Sequence, residues 1–332
     1  MMYCASSSGA QSRLRVATQV HIHQEQEMAT LFRAVFLAGV LLQVATYARS
    51  DEKAADSAPI VGSAVPYGAN AQASGTFTHD GVSLYYETYG SGEPLLLVHG
   101  NGGSIGTLVA QIEFFKARYK VIAMDSRDQG RSADSDGPLT YEAMTDDLAA
   151  LIDHLKLDSV DVIGWSDGGI EALLLGVRHP GKVKKIVSMA PNLNPTTHAI
   201  YKETDELFSS MLASTPDSER NTPAGKRALK VAGMMLKEPN IDPTQLERIT
   251  APTLVMAGDH DLVRTEHIVE IFTHLQNAQL AILPNSTHMV PFDDPELFNT
   301  TIERFLNTPF VKKDRIADAM KSYEKLMAGL PK

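Results

Sequence analysis

From residue 75 onward, short apolar runs alternate with stretches whose apolar residues recur at helical spacing. Phe77–Tyr89 reads as two strands turned at His79-Asp80-Gly81. Pro94–Val98, Val121–Met124, Val160–Trp165, Lys185–Met189, Thr253–Ala257 and Leu280–Leu283 are apolar runs without regular alternation. That pattern suits strands buried on both faces of a parallel sheet. Tyr141–Leu155 places Met144, Leu148, Leu151, Ile152 and Leu155 on one helical face. Gly169–Val177, Glu266–Leu275 and Pro295–Phe305 are further helical segments. The order predicts a doubly wound α/β core over 75–193 and 250–310, with ligands at the carboxyl ends of the strands. Residues 194–249 hold two or three helical segments and no clear strand, which predicts a helical cap over that edge. Residues 311–332 form an amphipathic helix with Ile316, Met320, Tyr323 and Met327 on one stripe. It is expected to pack on the core surface, with a dimer contact as the alternative.

The amino-terminal quarter differs. Arg33 precedes an apolar stretch, Ala34 to Ala45, followed by Thr46-Tyr47-Ala48. A basic flank, a short apolar segment and small residues at −3 and −1 describe a secretory signal peptide over 1–48, with Met28 a possible true start. The stretch falls short of the roughly 20 residues that span a bilayer. Stable membrane insertion after cleavage is therefore not expected, and the mature chain is expected to be secreted or periplasmic. Residues 49–74, rich in Ala, Ser, Gly and Asp, read as a flexible linker. The single cysteine, Cys4, lies in the leader, so the mature chain is expected to have no disulfide and no thiolate metal site. A formal charge of −10 over 332 residues, with no basic run, argues against nucleic acid or an anionic surface as partner.

Three segments carry candidate chemistry. Gly164-Trp165-Ser166-Asp167-Gly168-Gly169 fits G-x-S-x-G and lies between a strand and a helix. A sharp turn there would expose a serine nucleophile and aim the next amide and a helix N-terminus at a developing oxyanion. Serine needs a base, and the base an orienting carboxylate. Asp261 follows the Thr253–Ala257 strand and His288 follows the Leu280–Leu283 strand, in the order Ser, Asp, His. Asp259 is a rival acid, expected to cap a turn, and His260 a more distant rival base. His99-Gly100-Asn101-Gly102-Gly103-Ser104 follows another strand, and its glycines let backbone amides approach a substrate. The Asn101 and Asp167 amides are the expected oxyanion donors. His99 is expected to stabilise this loop rather than act as base. Trp165, Asp167 and Met289 flank the nucleophile and base and are candidates for substrate contact. For Asp167 two readings stand: a carboxylate stabilised at a helix N-terminus, or one that pairs with a cationic group on the substrate.

These segments, with Asp125-Ser126-Arg127-Asp128-Gln129-Gly130-Arg131-Ser132, make residues 75–308 resemble the α/β-hydrolase superfamily. Gly164–Gly169 is similar to the corresponding segment of valacyclovir-hydrolase-like and related serine carboxylesterases. The resemblance implies a mostly parallel eight-stranded sheet with helices on both faces and a small cap. It also implies Ser166 as nucleophile, Asp261 as acid and His288 as base. Asp128 departs from the pattern, which has glycine there. The expected activity is hydrolysis of a small or medium carboxylic ester through an acyl-enzyme, with no metal or organic cofactor. A C–C bond hydrolase, lactonase, amidase, acyltransferase or cofactor-free perhydrolase on the same residues, or a non-catalytic binding protein on the same fold, are the alternatives.

Overall fold

The computed structural model describes residues 65–329. The expected signal peptide and residues 49–64 lie outside the described residues. Eight strands form one sheet: β1 Ser74–His79, β2 Val82–Tyr89, β3 Glu93–Val98, β4 Tyr119–Met124, β5 Val160–Trp165, β6 Val183–Met189, β7 Thr253–His260 and β8 Ala278–Thr287. Their order is β1-β2-β4-β3-β5-β6-β7-β8. β2 is antiparallel to both of its neighbours, and every pair from β4 to β8 is parallel. The turn expected at 79–81 joins β1 to β2, with Asp80 and Gly81 at positive φ.

The strands lack alternation because both faces are covered. Leu96, Val98, Ile122, Met124, Val162 and Ile186 belong to one core. Their chain neighbours Leu95, Leu97, Val121, Ala123, Ile163 and Val187 belong to the other. The period of two along each strand thus feeds two helical layers. Helices α2 (Tyr141–His154) and α3 (Asp167–Arg178) pack on the first face, and α1 (Val109–Phe115) lies on the second. The sequence pattern did not anticipate the seven-residue α1. Thr140 caps α2 by accepting from the Ala143 N–H. The cap region holds α4 (Lys202–Ser214) and α5 (Pro223–Met234). Residues 217–225 cluster separately from the other described residues and contain the one-turn helix Asp217–Arg220. Helices α6 (Thr265–His274) and α7 (Pro295–Asn307) complete the two faces.

Two expectations are corrected. Residues 65–74 are not flexible linker: Tyr67 is buried, and Ser74 already belongs to β1. The cause is Glu87, fully buried on β2. Its carboxylate accepts from the Gly68 and Asn70 amides at 2.8 Å each and from the Tyr85 and Tyr89 hydroxyls at 2.6 Å each. Four donors offset the cost of burying the carboxylate and fasten the segment. The second correction concerns α8 (Arg315–Ala328), which forms as expected but buries none of its residues. Ile316 is 74% exposed and Met320 53%, so the stripe does not pack on the core. The helix is capped locally, with Asp314 accepting from the Ile316 and Ala317 amides. Among the described residues no helix is long and apolar enough to cross a membrane.

Candidate active site

Ser166 stands between β5 and α3 with φ 58° and ψ −119°. That backbone is costly for a residue with a Cβ and persists only where its surroundings impose it. Here they do. A Cβ on Gly164 would meet the Gly168 carbonyl at 1.8 Å, and one on Gly168 would meet the Val98 carbonyl at 2.3 Å. The turn therefore closes only with glycine at both places. The Ser166 N–H is donated to the Met189 carbonyl at 2.9 Å, which anchors the turn to β6.

The structure brings the three expected side chains into series. Ser166 Oγ and His288 Nε2 are 3.0 Å apart, and His288 Nδ1 lies 2.7 Å from Asp261 Oδ1. An ionised carboxylate only accepts, so Nδ1 carries the proton and Nε2 is free to accept from the serine hydroxyl. Asp261 is buried, and burial acts to raise its pKa. The His288 charge and hydrogen bond, with the Val263 and Gly258 amides, outweigh this and hold it below the usual carboxylate range. Asp259, the rival acid, accepts instead from the Asn285 and Ser286 amides at 2.9 Å each and from His260. The Ser286 amide first, then His260 and the Asn285 amide, pull its pKa down to about 2. It secures the carboxyl end of β8, as expected for a turn-capping residue.

The backbone N–H groups of Asn101 and Asp167 make no hydrogen bond to a loop or turn carbonyl among the described residues. The loop that presents the first is braced throughout. His99 is 1% exposed; it accepts from the Ser126 amide and donates to the Gly100 carbonyl. Burial lowers its pKa to about 4, so it is neutral. His99 is therefore a loop brace, as expected. The Gly102 amide is donated to Gln129 Oε1 at 2.7 Å, and the Ile105 amide to Asp125 Oδ1 at 2.7 Å. The segment at 125–132 is thus a scaffold for the neighbouring loop. Sequence reasoning did not assign that role to Gln129 or Asp125, although both lie in the motif it quoted.

Asp128 shows why its position favours glycine: its φ is +62°. The buried carboxylate offsets the strain. It accepts from the Ser135 amide and hydroxyl at 3.0 and 2.5 Å and from Lys230 Nζ of α5 at 2.9 Å. Arg227 of α5 pairs with Asp134 of the same loop. The departure at Asp128 therefore ties the cap to the core and leaves the Ser166–His288–Asp261 series intact.

Of the three candidates for substrate contact, two are committed elsewhere. The Asp167 carboxylate is buried, accepting from Tyr141 Oη and Asn101 Nδ2 at 2.8 Å each. A carboxylate so enclosed has no face for a cationic substrate, and that reading is set aside. Burial pushes its pKa up to about 6 against the two hydrogen bonds and the His288 charge. Trp165 donates Nε1–H to the His288 carbonyl at 2.9 Å and packs edge-on to Phe292. It supports the histidine loop. Met289 is half-buried beside His288, its amide donated to Thr287 Oγ1 at 3.1 Å.

One cluster among the described residues has metal-ligand chemistry: His198, His267 and Glu270. His267 Nε2 accepts from the Leu193 amide at 3.0 Å, which places the ring proton on Nδ1, where it is donated to Glu270. That tautomer opposes metal binding at Nδ1.

Residues 93–232 match the family described as alpha/beta hydrolase fold. RutD of Caulobacter sp. (strain K31), which carries a provisional name as a carbamate hydrolase, is 30% identical over 68% of this chain and 96% of its own length. The chain belongs to the α/β-hydrolase family. Within that family, the mouse protein BPHL, named a serine hydrolase, is 28% identical over 68% of this chain and 84% of its own. The solved structure of MGS-M2, an alpha/beta hydrolase enzyme from a deep-sea metagenome library, shares the fold. Its TM-score is 0.63 at 19% identity, covering 72% of this chain and all of that one. The chain is a hydrolase by these relationships.

Proposed function

We propose that the protein hydrolyses small or medium carboxylic esters through an acyl-enzyme on Ser166. The observation that carries this is the unbroken series Ser166–His288–Asp261 at 3.0 and 2.7 Å. Each step follows from placement. His288 Nε2 takes the hydroxyl proton as Ser166 Oγ attacks the carbonyl carbon. The imidazolium so formed is stabilised by Asp261, whose low pKa keeps it ionised. The carbonyl oxygen, now negative, sits against the Asn101 and Asp167 amides at the N-terminus of α3. The leaving alkoxide takes the proton from His288. Water then repeats the sequence with His288 as base, and the carboxylic acid is released. Nucleophile, base and oxyanion donors are all supplied by the chain, so the reaction calls for no metal or organic cofactor.

Lactones, amides, carbamates and C–C bonds can be cleaved by the same groups, so substrate choice is tested directly. The panel is p-nitrophenyl esters of rising acyl length, a lactone, an anilide, a carbamate and a ring-cleavage dienoate. The ester reading expects the highest kcat/KM on short or medium esters, with an initial burst of p-nitrophenol equal to one per chain. A higher kcat/KM on any other class replaces it. Export is part of the proposal and rests on the Arg33–Ala48 pattern. Mature chains should begin between about Thr46 and Asp51; intact chains recovered from the cytoplasm would contradict this.

A further inference from the structure

Asp167 has two connections to the candidate oxyanion hole. Its backbone N–H is one of the two donors. Its carboxylate, through Oδ2, accepts from Asn101 Nδ2 at 2.8 Å, and Asn101 carries the other donor. The second proton of the Asn101 amide goes to the Val231 carbonyl at 3.0 Å. Val231 is in the last turn of α5, where carbonyls have no partner within the helix. The other carboxylate oxygen of Asp167, Oδ1, accepts from Tyr141 Oη at 2.8 Å, and Tyr141 opens α2. Both Tyr141 and Asp167 are buried, at 1% and 3% exposure. Burial, followed by the Asp167 charge, raises the Tyr141 pKa well above its ordinary value, so the hydroxyl stays a donor.

We propose that Tyr141 and the Asp167 carboxylate are positioning residues for the Asn101 amide, setting the width of the oxyanion hole from α2 and locking it to the cap through Val231. This rests on the hydrolytic reading above. The geometry favours it over a purely structural role because the chain of bonds ends on the residue next to the reacting oxygen. Asn101 has no freedom to invert: both of its amide protons have acceptors. Turning the amide over would set its oxygen against the Asp167 carboxylate or the Val231 carbonyl. Asp167→Asn keeps an acceptor oxygen for Asn101 but turns its NH₂ group to Tyr141 Oη, so the tyrosine must accept and its own proton loses its acceptor. A misplaced donor loses transition-state stabilisation while leaving substrate binding alone.

The test compares wild type with Tyr141→Phe, Asn101→Ala and Asp167→Asn. The readouts are kcat and KM on a p-nitrophenyl ester, and affinity for a trifluoromethyl ketone that adds to Ser166. Affinity for the matching unreactive amide, thermal midpoint and hydrogen exchange of residues 100–104 complete the set. Tyr141→Phe removes one oxygen and keeps the ring, so it serves if Asp167→Asn fails to fold. Tyr141→Phe and Asn101→Ala should each lower kcat and ketone affinity by the same factor, about tenfold. KM and amide affinity should be unchanged, the thermal midpoint should fall because a buried carboxylate oxygen loses its donor, and exchange in 100–104 should be faster. The double variant should lose less than the product of the singles, because one chain of bonds is cut twice. The proposal is overturned if ketone affinity is unchanged where kcat falls, or if exchange in 100–104 does not respond. A wild type that turns over no ester removes the hydrolytic reading instead, and the exchange data then still decide whether Tyr141 and Asp167 hold the loop.

Discussion

His288 Nδ1 is 2.7 Å from Asp261 Oδ1, while Asp259, two residues earlier, turns its carboxylate to the Asn285 and Ser286 amides. The two acids of one turn therefore have separate tasks. Asp261→Asn should lower kcat/KM by about 10³–10⁴-fold, because the amide cannot hold the imidazole in its working tautomer. Asp259→Asn should cost less than about tenfold in activity and should lower the thermal midpoint. Kinetics and thermal melts on the two variants check this; a larger activity loss from Asp259→Asn reverses the assignment.

The neutral, buried His99 gives a pH dependence of stability. Burial lowers its pKa to about 4 from the ordinary 6.5. Below 6.5 the unfolded chain takes up a proton that the folded chain refuses until about 4. The stability His99 contributes is thus present above 6.5 and lost as pH falls from 6.5 to 4. Asp167, raised to about 6 by burial, works the other way, its contribution fading as pH rises through 6. Comparing wild type with His99→Gln isolates the histidine. The stability gap in urea unfolding should shrink by about 2–3 kcal/mol between pH 7 and 4.5. A gap that stays constant contradicts a neutral buried His99.

Much of this was legible in the sequence, and the reasons are local. The parallel strands declared themselves because burial on both faces leaves unbroken apolar runs such as Pro94–Val98. Ser166, Asp261 and His288 were readable because each follows a strand, and strand ends share an edge. Side-chain commitments across the fold were not readable. Asp167 looked free because its partners, Asn101 and Tyr141, are 66 and 26 positions away. Residues 65–74 looked like linker because their anchor, Glu87, lies in the next strand but one end of a hairpin away. The α8 stripe shows the opposite failure: a pattern predicts an amphipathic helix without saying what, if anything, covers it.

Asp128 tests whether a charge can offset a strained backbone. Asp128→Ala keeps the positive φ and removes the Ser135 and Lys230 contacts, so it should cost about 2–4 kcal/mol. Asp128→Gly loses the same contacts but relieves the backbone, and should be about 1 kcal/mol less harmful than alanine. Urea midpoints rank the three. Equal midpoints for alanine and aspartate would show that the contacts to Ser135 and Lys230 add nothing.

Removing 311–332 should leave the enzyme unharmed, since no residue of α8 is buried. The shortened chain should keep kcat/KM within about twofold and its thermal midpoint within about 2 °C. A fall of 5 °C or more would show that the exposed stripe is covered in the working protein.

The central claim is that Ser166 becomes acylated with His288 as its base. Intact mass measurement after brief treatment with a fluorophosphonate tests it most directly. The account predicts one adduct per chain, mapped to Ser166, absent in Ser166→Ala and slowed by at least about 10³-fold in His288→Ala. A wild type that takes up no label, or a Ser166→Ala variant that still does, would contradict it.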